Sequence, residues 1–246
     1  MIRRLRMFAG PNGSGKSTVK SVIAPELLGV YLNPDEIEQE VKRNGYYDVR
    51  GLKVSMTEEE IITFFANHPL LQRTQETSLA DDIRLIDNEF ISFDNVRFNA
   101  YLSAILTDFL RQKLIEARQS LTFETVMSSP DKLVTLRKAQ EAGFRNYLYY
   151  VATENPLINI ARIRHRVRTG GHPVPDDKVV ERYHRSLDLL LDAIRLSSRA
   201  HIFDNSGETN VWIAEITNGT TIELKTGLIP QWFTRAVLNK SHKSYP

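Results

Sequence analysis

Between Ala9 and Thr18 the chain reads AGPNGSGKST. Gly10, Gly15, Lys16 and Ser17 satisfy G-x-x-x-x-G-K-[ST] in full, a spacing that builds a backbone cradle for phosphate. The glycines let the chain curl so that peptide N–H groups point inward, at the start of a following helix. Lys16 is placed to set a point charge against the β- and γ-phosphates, and Ser17 to offer its hydroxyl to magnesium. Gly10, Pro11, Asn12, Gly13, Ser14, Gly15, Lys16, Ser17 and Thr18 are therefore the expected nucleotide-binding stretch, for ATP with Mg2+ and with GTP left open. The bland alternative is a glycine-rich turn with a surface lysine. It gives no reason for a strand before the motif and a helix after it.

Such a cradle does not say whether the γ-phosphoryl goes to water or to a hydroxyl. The ATPase subunits of ABC transporters carry a similar loop, with an LSGGQ-type signature and an apolar run ending in Asp-Glu. Neither occurs here, and the single Asp-Glu, Asp35-Glu36, follows YLNP. Transfer to a hydroxyl calls for an acid that orients the acceptor and takes its proton. Asp35, in LNPDEI after the second expected strand, is one candidate, although Asp beside Pro is also an ordinary helix cap.

Glu124 ends the apolar stretch LTFET. A carboxylate there is costly to bury unless an arginine, magnesium-bound water or a substrate hydroxyl meets it. The alternative is the solvated end of an edge strand. Thr125 and Ser128 are polar neighbours expected to line the acceptor side.

Arg162, Arg164, Arg166 and Arg168 share one helix with an apolar stripe of Ile160, Ile163 and Val167. Arg162 and Arg166 fall on one side, Arg164 and Arg168 on another. Just before TGGHPVP, such a segment is expected to close on ATP, exclude water and neutralise the transferring phosphoryl. An ordinary solvated face is the alternative, and it is the expected reading for Lys178, Arg182 and Arg185. The six histidines show no H-E-x-x-H spacing, so no zinc site is expected.

The elements that must position these residues alternate. Ile2 to Ala9 reads as a central strand, followed by the loop, a helix to about Pro25, the strand GVYL and a helix opened by Pro34 and Asp35. After a helix from Phe98 to Arg118 come the strand SLTFETV, a helix, the strand FRNYLYYVAT, the arginine helix, a long helix from Asp176 to Ser198 and the strand AHIFDNS. Strands separated by helices imply parallel crossovers, and so an α/β three-layer sandwich with a mostly parallel sheet. Residues 46–95 fit this alternation poorly and read as an inserted helical subdomain within a single domain spanning 1–246. The stretch 207–246 reads as a C-terminal extension holding a β-hairpin around Asn218-Gly219.

Composition narrows the classes. At 246 residues with 41% hydrophobic residues, the chain can bury a sizeable core. Net charge is +2, which gives no overall attraction to nucleic acid or membrane. There is no cysteine, so a cytoplasmic home is permitted, and no apolar run is long enough for a membrane span. The basic N-terminus runs directly into the phosphate loop and reads as a strand, not a signal peptide.

The motifs GPNGSGKST, NPDEI, FETVMSSP, RIRHRVRTGGHPVP and FDNSG, in this order, resemble the zeta-toxin-like P-loop kinases. They are most similar to the short bacterial branch often labelled ABC-type ATPase for its phosphate loop. The resemblance spans the chain outside 46–95. It implies ATP-dependent phosphorylation of a hydroxyl on a small molecule. In zeta toxins the acceptor is a UDP-N-acetyl amino sugar, and an antitoxin protein is the partner. By the same resemblance Lys16 and Ser17 match the nucleotide site, Asp35 the acid that activates the sugar hydroxyl, and Glu124 the acidic strand-end position near the substrate. The lid departs from the pattern: zeta toxins place two separated arginines, whereas this chain has four and then His172. A kinase for another acceptor, such as a nucleic-acid end, and a nucleotide-dependent binding or regulatory protein remain as alternative readings.

Overall fold

A computed structural model of the chain describes residues 2–21, 23–74, 77–171 and 173–242. It divides into two compact units, Met1–Leu28 with Thr122–Pro246, and Gly29–Leu121. The sequence reading has one domain with an insert at 46–95. The second unit contains that stretch and extends it on both sides.

The first unit opens with β1 (Arg4–Ala9), in which Leu5, Met7, Phe8 and Ala9 are fully buried. Such a run marks a strand covered on both faces. It leads to α1 (Lys16–Lys20) and α2 (Pro25–Leu28). The expected single helix to Pro25 is thus a five-residue helix, and Pro25 opens a separate one, the position where proline is best tolerated.

The second unit runs β2 (Val30–Leu32), α3 (Pro34–Asn44), β3 (Tyr46–Asp48), α4 (Glu58–Asn67), α5 (Pro69–Thr74), β4 (Arg84–Ile86), β5 (Phe90–Ser92) and α6 (Ala100–Glu116). The stretch expected to be helical does hold α4, opened by a Thr57–Glu60 capping box, and α5. It also holds an antiparallel sheet in the order β3-β5-β4. Its strands are three residues each, too short for an alternating pattern to be seen in sequence.

The chain returns to the first unit with β6 (Leu121–Thr125), α7 (Asp131–Glu141), β7 (Arg145–Ala152), α8 (Pro156–Arg168), α9 (Asp176–Asp188), α10 (Leu190–Arg195) and β8 (Arg199–Asp204). The hairpin β9 (Val211–Thr217) and β10 (Thr221–Leu224) follows, then α11 (Gln231–Phe233), a π-helical turn at Thr234–Leu238 and α12 (Asn239–His242). Six strands lie in the order β10-β9-β8-β7-β1-β6. β1, β7 and β8 are parallel, whereas β9 and β10 add antiparallel to the end.

Strand alternation divides β7 between two helical layers. Asn146 and Tyr150 face α7, α9 and α10, with Asn146 Nδ2 donating to Leu136 O and Leu196 O, and Tyr150 OH meeting Ser186 Oγ at 2.9 Å. Val151 packs with Phe8 and Val19 of α1 on the other face. This is the expected α/β sandwich. The expected hairpin turn is also present, with Asn218 and Gly219 both at positive φ, 51° and 71°. Among the described residues no helix is long and apolar enough to cross a membrane.

Candidate functional site

The phosphate loop leaves β1 at Gly10, whose φ of +143° and whose position 2.0 Å (for a built Cβ) from Val151 O admit only glycine. Gly13 falls at a position that the sequence motif leaves unspecified, yet it is as constrained. Its φ is +74°, and a Cβ there would sit 2.7 Å from the carbonyl oxygen of Asn159 on α8.

Side chains from two other segments hold the loop. Asn159 Nδ2 donates to Asn12 O at 2.6 Å, and Asn205 Nδ2 donates to Ser14 O at 2.8 Å. Asn159 is itself fixed, since the Thr153 hydroxyl donates to its Oδ1 and Tyr183 OH donates to Thr153 O at 2.6 Å. Burial pushes the Tyr183 phenol up, and the nearby Glu154 and Asp204 carboxylates add to the effect, so it stays a proton donor.

Lys16 folds back over its own loop, with Nζ donating to Gly10 O at 2.9 Å and to Pro11 O at 3.1 Å. Ser17 and Thr18 are exposed in the first turn of α1. Because that helix is so short, the loop's own N–H groups, more than a helix dipole, must carry any anion affinity. Asn12 Oδ1 and Ser14 Oγ are buried without hydrogen-bond partners.

Glu124 sits at the end of β6 with its side chain only 11% exposed. The solvated strand end is therefore excluded. Ser17 Oγ donates to its Oε2 at 3.4 Å, and Lys20 Nζ lies 3.5 Å from its Oε1. Lys20 is a cation that helps make burial of this carboxylate tolerable, and the sequence reading passed over it. Thr125 turns its hydroxyl to accept from Met127 N at 3.0 Å, while Ser128 is half-buried beyond it.

The arginine helix is not uniform. Arg162 is half-buried, donates from Nη2 to Gly207 O at 3.2 Å, and keeps Nη1 buried without a partner. Arg164 forms an ion pair with Asp176 at 2.5 Å. Arg166 and Arg168 are exposed in the last turn, where Gly171 N bonds back to Arg166 O. The expected stripe breaks there: Ile160 and Ile163 are buried with Val179, but Val167 is 36% exposed because α8 has run past its cover. His172 lies outside the described residues. On α9, Lys178 and Arg185 both pair with Glu181 on an exposed face, as a solvated helix does.

The loop after β8 completes this surface. Asp204 Oδ1 accepts from Ser206 Oγ at 2.8 Å and from Trp232 Nε1 at 2.7 Å, while Glu154 N donates to Ser206 Oγ. This anchors Asn205 where it reaches Ser14. The segment FDNSG was legible as a motif, but nothing in one sequence reveals which of its atoms touches the phosphate loop.

In the second unit, Asp35 is the second residue of α3. The cap is Asn33, whose Oδ1 accepts from Asp35 N at 2.9 Å, with Pro34 at the first helical position. Asp35 itself is exposed, and its carboxylate makes no hydrogen bond among the described residues.

A magnesium ion suits the pair at the loop's mouth, because a serine hydroxyl beside a carboxylate is an all-oxygen, hard donor set. No group of three or more acidic, His or Cys side chains able to hold a metal occurs among the described residues.

The zeta toxin family model matches residues 96–217, from α6 through β9. The crystal structure of AvrRxo1-ORF1 with AvrRxo1-ORF2 and sulphate ions superposes with a TM-score of 0.55 at 14% identity, over 92% of this chain and 62% of that one. The same pair with ATP gives 0.53 at 12% identity, over 91% and 61%. The PezAT toxin–antitoxin system of Streptococcus pneumoniae gives 0.50 at 15% identity, over 96% and 79%. An uncharacterized Haemophilus influenzae protein is 37% identical over 60 residues, which is 24% of this chain and 43% of that protein. The chain thus spans less than two thirds of the matched chain of the AvrRxo1 complex, and its match to the Haemophilus protein covers under half of that protein. The solved structures share the α/β sheet described above, which is the P-loop kinase fold, and over residues 96–217, which hold the Glu124 strand and the arginine helix, the chain is similar to the zeta toxins.

Proposed function

We propose that the chain is an ATP-dependent kinase that passes the γ-phosphoryl to a hydroxyl of a small molecule. A UDP-N-acetyl amino sugar is the acceptor class that the family resemblance carries. The observation that supports this reading best is polar and local. Ser14 Oγ on the phosphate loop and Arg162 Nη1 on the helix bonded to it are buried donor groups without a partner. Unmet hydrogen-bonding groups of this kind are costly, and a phosphate-bearing ligand would satisfy them.

In this reading the backbone of Gly10 to Thr18 wraps the phosphates, and Lys16 exchanges two loop carbonyls for phosphate oxygens. Ser17 and Glu124 would hold magnesium, which would supply charge neutralisation for the phosphates. Asp35 accepts the proton of the acceptor hydroxyl as its oxygen bonds to the γ-phosphorus and the bond to the β-phosphate oxygen breaks, releasing ADP. Thr125 and Ser128 border the acceptor side. Arg162, Arg166 and Arg168 neutralise the oxygens of the moving group. GTP fits the same loop, and an antitoxin-like protein is the partner this reading implies.

The arginines divide this work. Arg162 is already tied to Gly207 and serves as a fixed wall, whereas Arg166 and Arg168 close with the Gly170-Gly171 end. Amide exchange from Arg166 to Gly171 is therefore expected to slow when ATP and magnesium are added, with little change at Asn159 to Arg162. Exchange that is equal in both states across Arg166 to Gly171 returns those arginines to a solvated face.

The reading as a whole is tested by incubating the protein with ATP and a metabolite extract that includes UDP-amino sugars. A new phosphomonoester, identified by mass and absent without enzyme, is the expected result. Unchanged metabolites under conditions where ATP binds would overturn it.

A further inference from the structure

We infer that Asn205 and Asn159 are positioning residues that set the phosphate loop's N–H groups before any nucleotide arrives. The inference rests on the proposed reading of the loop as a phosphate site and extends it to two residues outside the loop. In a trans peptide, the C=O of one residue and the N–H of the next point to opposite sides. Asn159 draws the Asn12 carbonyl outward at 2.6 Å, so the Gly13 N–H turns the other way. Asn205 draws the Ser14 carbonyl at 2.8 Å, which does the same for the Gly15 N–H. Neither of these N–H groups has an acceptor among the described residues.

The fit is tight on both sides. A Cβ at Gly15 would lie 2.2 Å from Asn205 Nδ2, and one at Gly13 would lie 2.7 Å from Asn159 O. The two glycines thus make room for the two asparagines as well as for phosphate. Both clamps are braced from behind, Asn159 by the Thr153 hydroxyl and Asn205 by its neighbours Asp204 and Ser206, which bond to each other and to Trp232 and Glu154. A loop shaped in advance binds without first losing conformational freedom, so removing a clamp should cost affinity for the ligand.

Asn205 is half-buried and in a loop, which makes it the residue to change. Asn205→Ala removes the donor, and Asn205→Leu removes it while keeping the volume. Both are expected to weaken MgATP binding about tenfold by calorimetry, the scale of one hydrogen bond lost. Glycine amide resonances give a readout that a merely structural contact would not move. In the wild type, MgATP should shift the Gly13 and Gly15 amide protons. In either variant the Gly15 shift should shrink, while that of Gly13, still held by Asn159, persists. Unchanged affinity in both variants overturns the inference, as do equal Gly15 shifts or a lowered melting temperature with unaltered affinity. Wild-type protein that fails to bind MgATP overturns the phosphate-site reading itself. Wild-type binding with indistinguishable variants overturns the positioning role alone.

Discussion

Lys16→Ala is expected to reduce phosphoryl transfer by at least about 10²–10³-fold, the usual loss for one group aimed at transition-state charge. The side chain is half-buried, and Nζ bonds to Gly10 O and Pro11 O, both in the loop it would serve. Its methylenes are not part of the Phe8–Val19–Val151 core, so packing should survive the change. The fold is therefore expected to hold within about 1 kcal/mol, as for substitutions away from core and buried networks. Turnover and thermal melting measured on one sample separate the two effects. Wild-type turnover from a folded Lys16→Ala protein would remove the kinase reading.

Asp35→Asn is expected to lower acceptor phosphorylation by about 10²–10⁴-fold, the range for loss of a positioned general base. An amide has the size of the carboxylate but cannot take a proton. The capping alternative predicts a stability defect, and the structure weakens it, because Asn33 and not Asp35 bonds the free N–H of α3. What remains for Asp35 as a first-turn acid is a dipole contribution of about 0.3–1 kcal/mol. MgATP affinity should barely change, since it depends on a different loop. Background hydrolysis of ATP, which needs no acceptor proton removed, should persist. Full acceptor phosphorylation by this variant would return Asp35 to a structural role.

Much of this was legible in sequence, for identifiable reasons. The phosphate loop follows a buried strand because motif and apolar run adjoin, and Asn218-Gly219 announces its hairpin because few other pairs accept two positive φ angles. The Glu124 argument was half legible. Burial demanded a cation, but Lys20 is brought to it by the fold, from more than a hundred positions away. The expected helix from Asp176 to Ser198 breaks at Leu189, where α9 gives way to α10, and an apolar stripe that continues across one residue hides such a break. Asn159 and Asn205 were silent, since a side-chain amide that clamps a distant carbonyl leaves no spacing pattern. Gly13 was their one trace, a glycine that the phosphate motif does not require.

The most direct test of the central claim follows the γ-phosphoryl itself. Wild-type protein is given γ-labelled ATP, magnesium and purified UDP-N-acetyl amino sugar or the extract fraction containing the acceptor, and label in phosphomonoester is compared with label in inorganic phosphate. The account predicts that most of the label enters an acceptor hydroxyl, and that it leaves the acceptor when Asp35→Asn replaces wild type. Label that appears only as inorganic phosphate, whatever acceptor is supplied, would contradict it.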